Sequence, residues 1–197
     1  MRLGIDLDNT LVCYDELFAK LAEETGLLAP GVARNKQAIR DYLRAAGRED
    51  QWTVMQGLAY GSRMGDAECF ADATSFLQRC RASGVDWWII SHRSRVPYLG
   101  DPIDLHDAAR RWLVNSGLIS SGDLQRVFLE LTVDAKLARI RDVGCDVFID
   151  DLTELLLHAA FPKGVRRVLF DPKDQNPDHP EYERVTSWSD VGKQLGI

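Results

Sequence analysis

The stretch Val85-Asp86-Trp87-Trp88-Ile89-Ile90 is almost continuously apolar and stops at Ser91. A strand with one face in water alternates apolar and polar residues, so a run like this belongs to a strand buried on both faces. That arrangement is typical of a parallel sheet covered by helices on both sides. Four other short segments fit the same sheet: Leu3 to Leu7, Arg126 to Leu131, Val147 to Ile149 and Val165 to Phe170. Between them apolar residues recur at helical spacing, as in Cys69, Ala73, Phe76, Leu77 and Cys80, or in Leu105, Ala109, Trp112 and Leu113. Asp134 reads as the cap of a further helix, and residues 153–161 and 189–195 read as two more. Strands alternating with helices predict an α/β fold: a three-layer α/β/α, Rossmannoid core with a central parallel five-stranded sheet and right-handed crossovers.

Residues 15–62 do not follow this alternation. Asp15 opens a helix ended by Gly26, Asn35 to Ala46 reads as a second, and Gln51 to Tyr60 as a third, with Gly57, Gly61 and Gly65 after or within it. No strand interrupts them. The expected organisation is a core of residues 1–14 and 63–197 carrying a small helical insertion at 15–62. A chain of 197 residues that is 45% hydrophobic accommodates one domain plus such an insertion. The net charge of −6 argues against a nucleic-acid partner. Cys13, Cys69, Cys80 and Cys145 form no CxxC pair, which favours a reducing compartment. Met1-Arg2 leads straight into the first strand, and no apolar run is long enough for a membrane span. The expected location is cytoplasmic, with no membrane association.

In open α/β sheets the chemistry lies beyond the carboxyl ends of the strands. Here those ends carry Asp6 and Asp8, Ser91, and Asp150 with Asp151. Three strands therefore deliver polar groups to one edge. Clustered carboxylates attract a hard divalent cation, and Mg²⁺ prefers oxygen ligands. Asp6, the backbone carbonyl of Asp8, and one or both of Asp150 and Asp151 would be the protein ligands. Asp6 would attack phosphorus, and Asp8 would protonate the leaving oxygen and then activate water. Ser91 and the amides of Leu7, Asp8 and His92 would bind the phosphoryl oxygens. Lys136 is the further phosphate-binding candidate: it lies in the first turn of its helix, where the dipole disfavours a cation unless an anion sits in front of it, and helix N-termini collect phosphate.

In order and spacing, Asp6-Leu7-Asp8-Asn9-Thr10, Ser91, Lys136 and Asp150-Asp151 resemble the four motifs of the haloacid dehalogenase superfamily. The resemblance covers the whole sheet region. It implies a Rossmann-like sheet, Mg²⁺, an aspartyl-phosphate on Asp6, Asp151 (or, four residues on, Glu154) as the acidic partner of Asp150, and a small α-helical cap made by the insertion after the first strand. Within that superfamily the dehalogenase branch lacks an acid at the position of Asp8, so phosphatase chemistry is the expectation.

Substrate choice would fall to the insertion and the loops. Arg34 and Lys36 in the insertion, Arg93 in the loop after Ser91, and Thr10 (which would also orient Asp8) are the candidates for substrate contact. The expected partner is a small phosphorylated metabolite such as a sugar phosphate. A 5′-nucleotidase acting on nucleoside monophosphates, a phosphomutase and a non-catalytic binding domain are the alternatives.

Overall fold

In the computed structural model, which describes residues 1–197, the chain begins with β1 (Arg2–Ile5), β2 (Val12–Cys13), α1 (Asp15–Glu24), α2 (Lys36–Ala45) and α3 (Glu49–Tyr60). It continues through β3 (Glu68–Cys69), α4 (Ala73–Ala82), β4 (Asp86–His92), α5 (Leu105–Asn115), β5 (Val127–Glu130) and α6 (Val133–Val143). The last elements are β6 (Val147–Asp150), α7 (Thr153–Leu156), β7 (Arg166–Phe170), β8 (Glu183–Val185) and α8 (Trp188–Leu195). Single 3₁₀ segments occupy Met64–Asp66 and Ser121–Arg126. No helix is long and apolar enough to cross a membrane.

The chain packs as two units. Residues 1–12, 69–93 and 117–197 form the sheet unit, and residues 13–68 with 94–116 form the helical unit. The sequence placed 94–116 with the sheet and ended the insertion at 62. Instead, the loop after β4 and all of α5 group with the helical unit. β2 and β3 pair as a short ribbon where the chain passes from one unit to the other and back.

In the sheet unit the strands lie in the order β5-β4-β1-β6-β7-β8, and every neighbouring pair is parallel. The sheet therefore has six strands rather than the five expected. The added edge strand, β8, is only three residues long, and of these only Val185 is buried. On one face Ile90, Phe148 and Leu169 pack with Leu137 and Ile140 of α6 and with Leu155 and Leu156 of α7. On the other, Trp188 of α8 lies against Phe76 of α4 and Phe170 of β7, with ring centroids 4.9 and 5.3 Å apart. The Trp188 indole N–H donates to the Thr10 carbonyl at 3.1 Å, tying α8 to the turn after β1.

The strand order sets where a ligand can enter. The chain leaves β1 toward β4 on one side and leaves β6 toward β7 on the other. Diverging connections at two adjacent strands open a crevice beyond their carboxyl ends, the topological switch point of such sheets. Asp6 follows β1 and Asp150 ends β6, in a register that pairs Ile5 with Ile149.

Gly4 in β1 is required by packing. A Cβ there would lie 2.5 Å from a ring carbon of Phe148 and 2.8 Å from the Cys145 sulfur. Phe148 in turn lies beneath the Lys136 ammonium, 5.4 Å from ring centre to nitrogen. Gly4→Val is expected to cost about 1–3 kcal/mol through overpacking. Urea unfolding would show this as a lower midpoint with unchanged slope; an unchanged midpoint would mean that Phe148 shifts without penalty.

In the helical unit, Asn35 caps α2 by accepting from the Ala38 amide at 2.8 Å. Phe18 of α1 stacks on Trp52 of α3, with centroids 4.8 Å apart, and the Tyr14 and Tyr60 rings meet edge to face at 5.0 Å. The Trp112 indole of α5 donates to the Ala67 carbonyl at 2.9 Å. None of the four cysteines is in a disulfide. Burial pushes the Cys80 thiol up to about 11 and Cys145 up to about 12, so both are protonated, unreactive core thiols at neutral pH.

Candidate active site

Three carboxylates meet at the switch point. Asp6, Asp150 and Asp151 each bring an oxygen to within 4.8 Å of the others. The Asp6 amide donates to the Ile149 carbonyl at 2.9 Å, which continues the β1–β6 ladder and sets Asp6 beside Asp150. Asp150 also accepts from the Leu152 amide at 2.9 Å, turning the chain out of β6. Glu154 is not part of this group; its carboxylate accepts from the Thr153 hydroxyl.

Lys136 reaches the cluster from α6. Its ammonium donates to Asp6 at 2.5 Å and to Asp150 at 2.6 Å, and the three side chains are 3%, 6% and 0% exposed. Where a phosphate is expected in front of this helix turn, the structure places a pair of carboxylates. The helix is capped by Thr132, whose hydroxyl accepts from the Ala135 amide at 3.1 Å, rather than by Asp134.

Burial pushes the Asp6 carboxyl up; Lys136 pulls against that, Asp150 and Asp8 add to it, and the result is about 7. Burial alone would lower the Lys136 ammonium, but Asp150 and Asp6 outweigh it and hold the group firmly protonated. One ammonium bonds two of the three carboxylates, so the cluster has more acidic groups than the lysine neutralises. An all-oxygen donor set with surplus acidic groups suits a hard divalent cation such as Mg²⁺.

With this geometry established, comparison with known proteins adds a fold. No family model matches the sequence, and no curated protein does. Among solved structures, the HAD-hydrolase YfnB from Bacillus subtilis, described as bound to magnesium, is 14% identical with a TM-score of 0.59, covering 100% of this chain and 98% of that one. The fold is that of the haloacid dehalogenase superfamily. A HAD phosphatase from Thermococcus onnurineus is 16% identical, with a TM-score of 0.58 and coverage of 99% and 97%. A structure described as a dehalogenase is 15% identical, with a TM-score of 0.59 and coverage of 100% and 97%.

On the haloacid dehalogenase fold, the remaining expected residues fall as follows. Ser91 is 1% exposed at the end of β4. Leu7 is fully buried, and its carbonyl accepts from the amides of Leu11 and Val12, closing the turn after β1. His92 turns its ring outward, with Nε2 3.2 Å from the Leu131 carbonyl. Thr10 is fully buried and its hydroxyl makes no hydrogen bond, so in this structure it neither orients Asp8 nor offers a contact to substrate.

Arg93 takes the place expected of Thr10. Its guanidinium, 3% exposed, bonds the Asp8 carboxylate, and its backbone amide donates to the Glu130 carbonyl at 2.8 Å. Arg93, expected as a substrate contact, bonds Asp8 in this structure. In the helical unit, Arg34 is ion-paired with Glu16 and Glu23. Lys36 lies over the rings of Tyr14, Phe18 and Tyr60, with its nitrogen 5.5, 5.9 and 5.5 Å from their centres. One link was not foreseen: the Asn9 side-chain amide donates to Asp151 at 3.1 Å.

Proposed function

We propose that the protein is a Mg²⁺-dependent phosphatase that hydrolyses a small phosphate monoester, such as a sugar phosphate, through an aspartyl-phosphate on Asp6. The observation that carries this reading is the convergence of Asp6, Asp150 and Asp151 on one point at the switch crevice, with Lys136 between two of them.

In this reading Asp6, the Asp8 carbonyl, Asp150 and Asp151 hold the ion. When bound, Mg²⁺ supplies charge neutralisation and Lewis-acid polarisation of a phosphoryl oxygen. Asp6 is the nucleophile. Lys136 orients Asp6 and holds a positive charge beside the incoming phosphoryl group. Ser91 donates its hydroxyl to a phosphoryl oxygen. Asp8 gives a proton to the leaving oxygen and later takes one from water, and Arg93 sets the direction of its carboxylate. The presence of an acid at Asp8 favours phosphatase over dehalogenase chemistry.

Hydrolysis measured over a panel of phosphate esters, with Mg²⁺ and with EDTA, tests the proposal. Turnover of one class of small monoester is expected with Mg²⁺, falling to background in EDTA and returning when Mg²⁺ is added in excess. Failure to hydrolyse any ester, p-nitrophenyl phosphate included, would sink the phosphatase reading. Strong preference for nucleoside monophosphates would replace the sugar-phosphate assignment with a nucleotidase.

A further inference from the structure

Asn9 combines two properties that a turn residue rarely needs together. Its φ is 57°, in the left-handed region, where among non-glycine residues asparagine is one of the least strained. Glycine would meet that backbone requirement alone. Asparagine adds a side-chain donor, and here Nδ2 donates to Asp151 Oδ2 at 3.1 Å across 142 residues of sequence.

The three clustered carboxylates are held by different means. Asp6 and Asp150 lie at the ends of adjacent strands and share the Lys136 ammonium. Asp151 lies past the end of β6, outside regular structure and only half-buried. Its tie to Asn9 joins the turn after β6 to the turn after β1.

We propose that Asn9 is a positioning residue for the metal: it acts through Asp151, holding that carboxylate in the ligand set with Asp6 and Asp150. This rests on the Mg²⁺ reading above. It assigns Asn9 no contact with substrate and no part in proton transfer. Loss of an outer hydrogen-bond partner of a metal ligand typically weakens metal binding about 10–100-fold.

The test is calorimetric titration of Mg²⁺ into the full-length protein, without substrate. Asn9→Gly keeps the left-handed turn and removes the donor. It is expected to melt with the wild type in EDTA, yet to bind Mg²⁺ about tenfold or more weakly. In an Asp151→Asn background, Asn9→Gly is expected to cause no further loss. Asn9→Ser, with a polar side chain too short for the bond, is expected to weaken binding likewise and serves if the glycine variant does not fold. Wild-type affinity in Asn9→Gly, or an equal loss with and without Asp151, would overturn the inference and leave the phosphatase reading standing. A wild-type protein that binds no Mg²⁺ would overturn the metal reading and this inference together.

Discussion

Asp6→Asn is expected to reduce phosphate-ester turnover by on the order of 10⁶-fold, the loss a hydrolase shows when its nucleophile is removed, while the protein stays folded. The amide matches the carboxylate in size and keeps an oxygen to accept from Lys136, which also retains Asp150 as its charged partner. Removing the charge relieves part of the burial cost that raises the Asp6 carboxyl. The melting temperature in EDTA should therefore stay close to wild type. What disappears is the attacking oxygen. Acid-quenched wild-type enzyme should carry substrate-derived phosphate, and the variant should carry none. Appreciable turnover in Asp6→Asn would remove Asp6 from the nucleophile's position, whatever the metal dependence.

The positions that converge were readable because they follow from chain direction. Once Val85–Ile90 is taken as a strand buried on both faces, the parallel sheet and its reactive edge follow, and Asp6, Ser91 and Asp150 must lie at strand ends. That Lys136 needs an anion was readable from its place in a first helical turn, but the anions it meets, Asp6 and Asp150, depend on β1 and β6 lying side by side and were not. β8 escaped because Glu183-Arg184-Val185 offers a single buried apolar residue, too little for a periodicity to register. The grouping of residues 94–116 with the helical unit depends on long-range packing, such as the Trp112 bond to Ala67, which no local pattern encodes.

Side-chain partners were the least readable level. An arginine beside an anion site suits a substrate or an internal carboxylate equally well. Only the placement of Arg93 at the end of β4 pairs it with Asp8. The basic residues of the insertion show the same ambiguity, since Arg34 has Glu16 and Glu23 beside it. Asn9 carried a local signal, an asparagine where the chain reverses after a strand, but its partner in Asp151 depends on β6 lying next to β1.

The largest expected effect on stability is at Lys136. Lys136→Met keeps a long unbranched side chain and removes the ammonium that lies over Phe148. Asp6 and Asp150 are then left facing each other, 6% and 0% exposed, without the cation that bridges them. Removing one partner of a buried ionic group costs up to about 3–5 kcal/mol, and uptake of a proton by Asp6, whose carboxyl is held near 7 only because Lys136 pulls it down, offsets part of that. The remaining loss is expected here from urea unfolding in EDTA. Two further measurements separate electrostatics from packing. Mg²⁺ should stabilise Lys136→Met more than wild type, because the cation then meets carboxylates with no competing ammonium. Lys136→Met combined with Asp150→Asn should recover part of the loss, because the second change removes a charge that the first left unpaired. A single variant as stable as wild type in EDTA would mean that Asp6 and Asp150 do not depend on Lys136 to share that space.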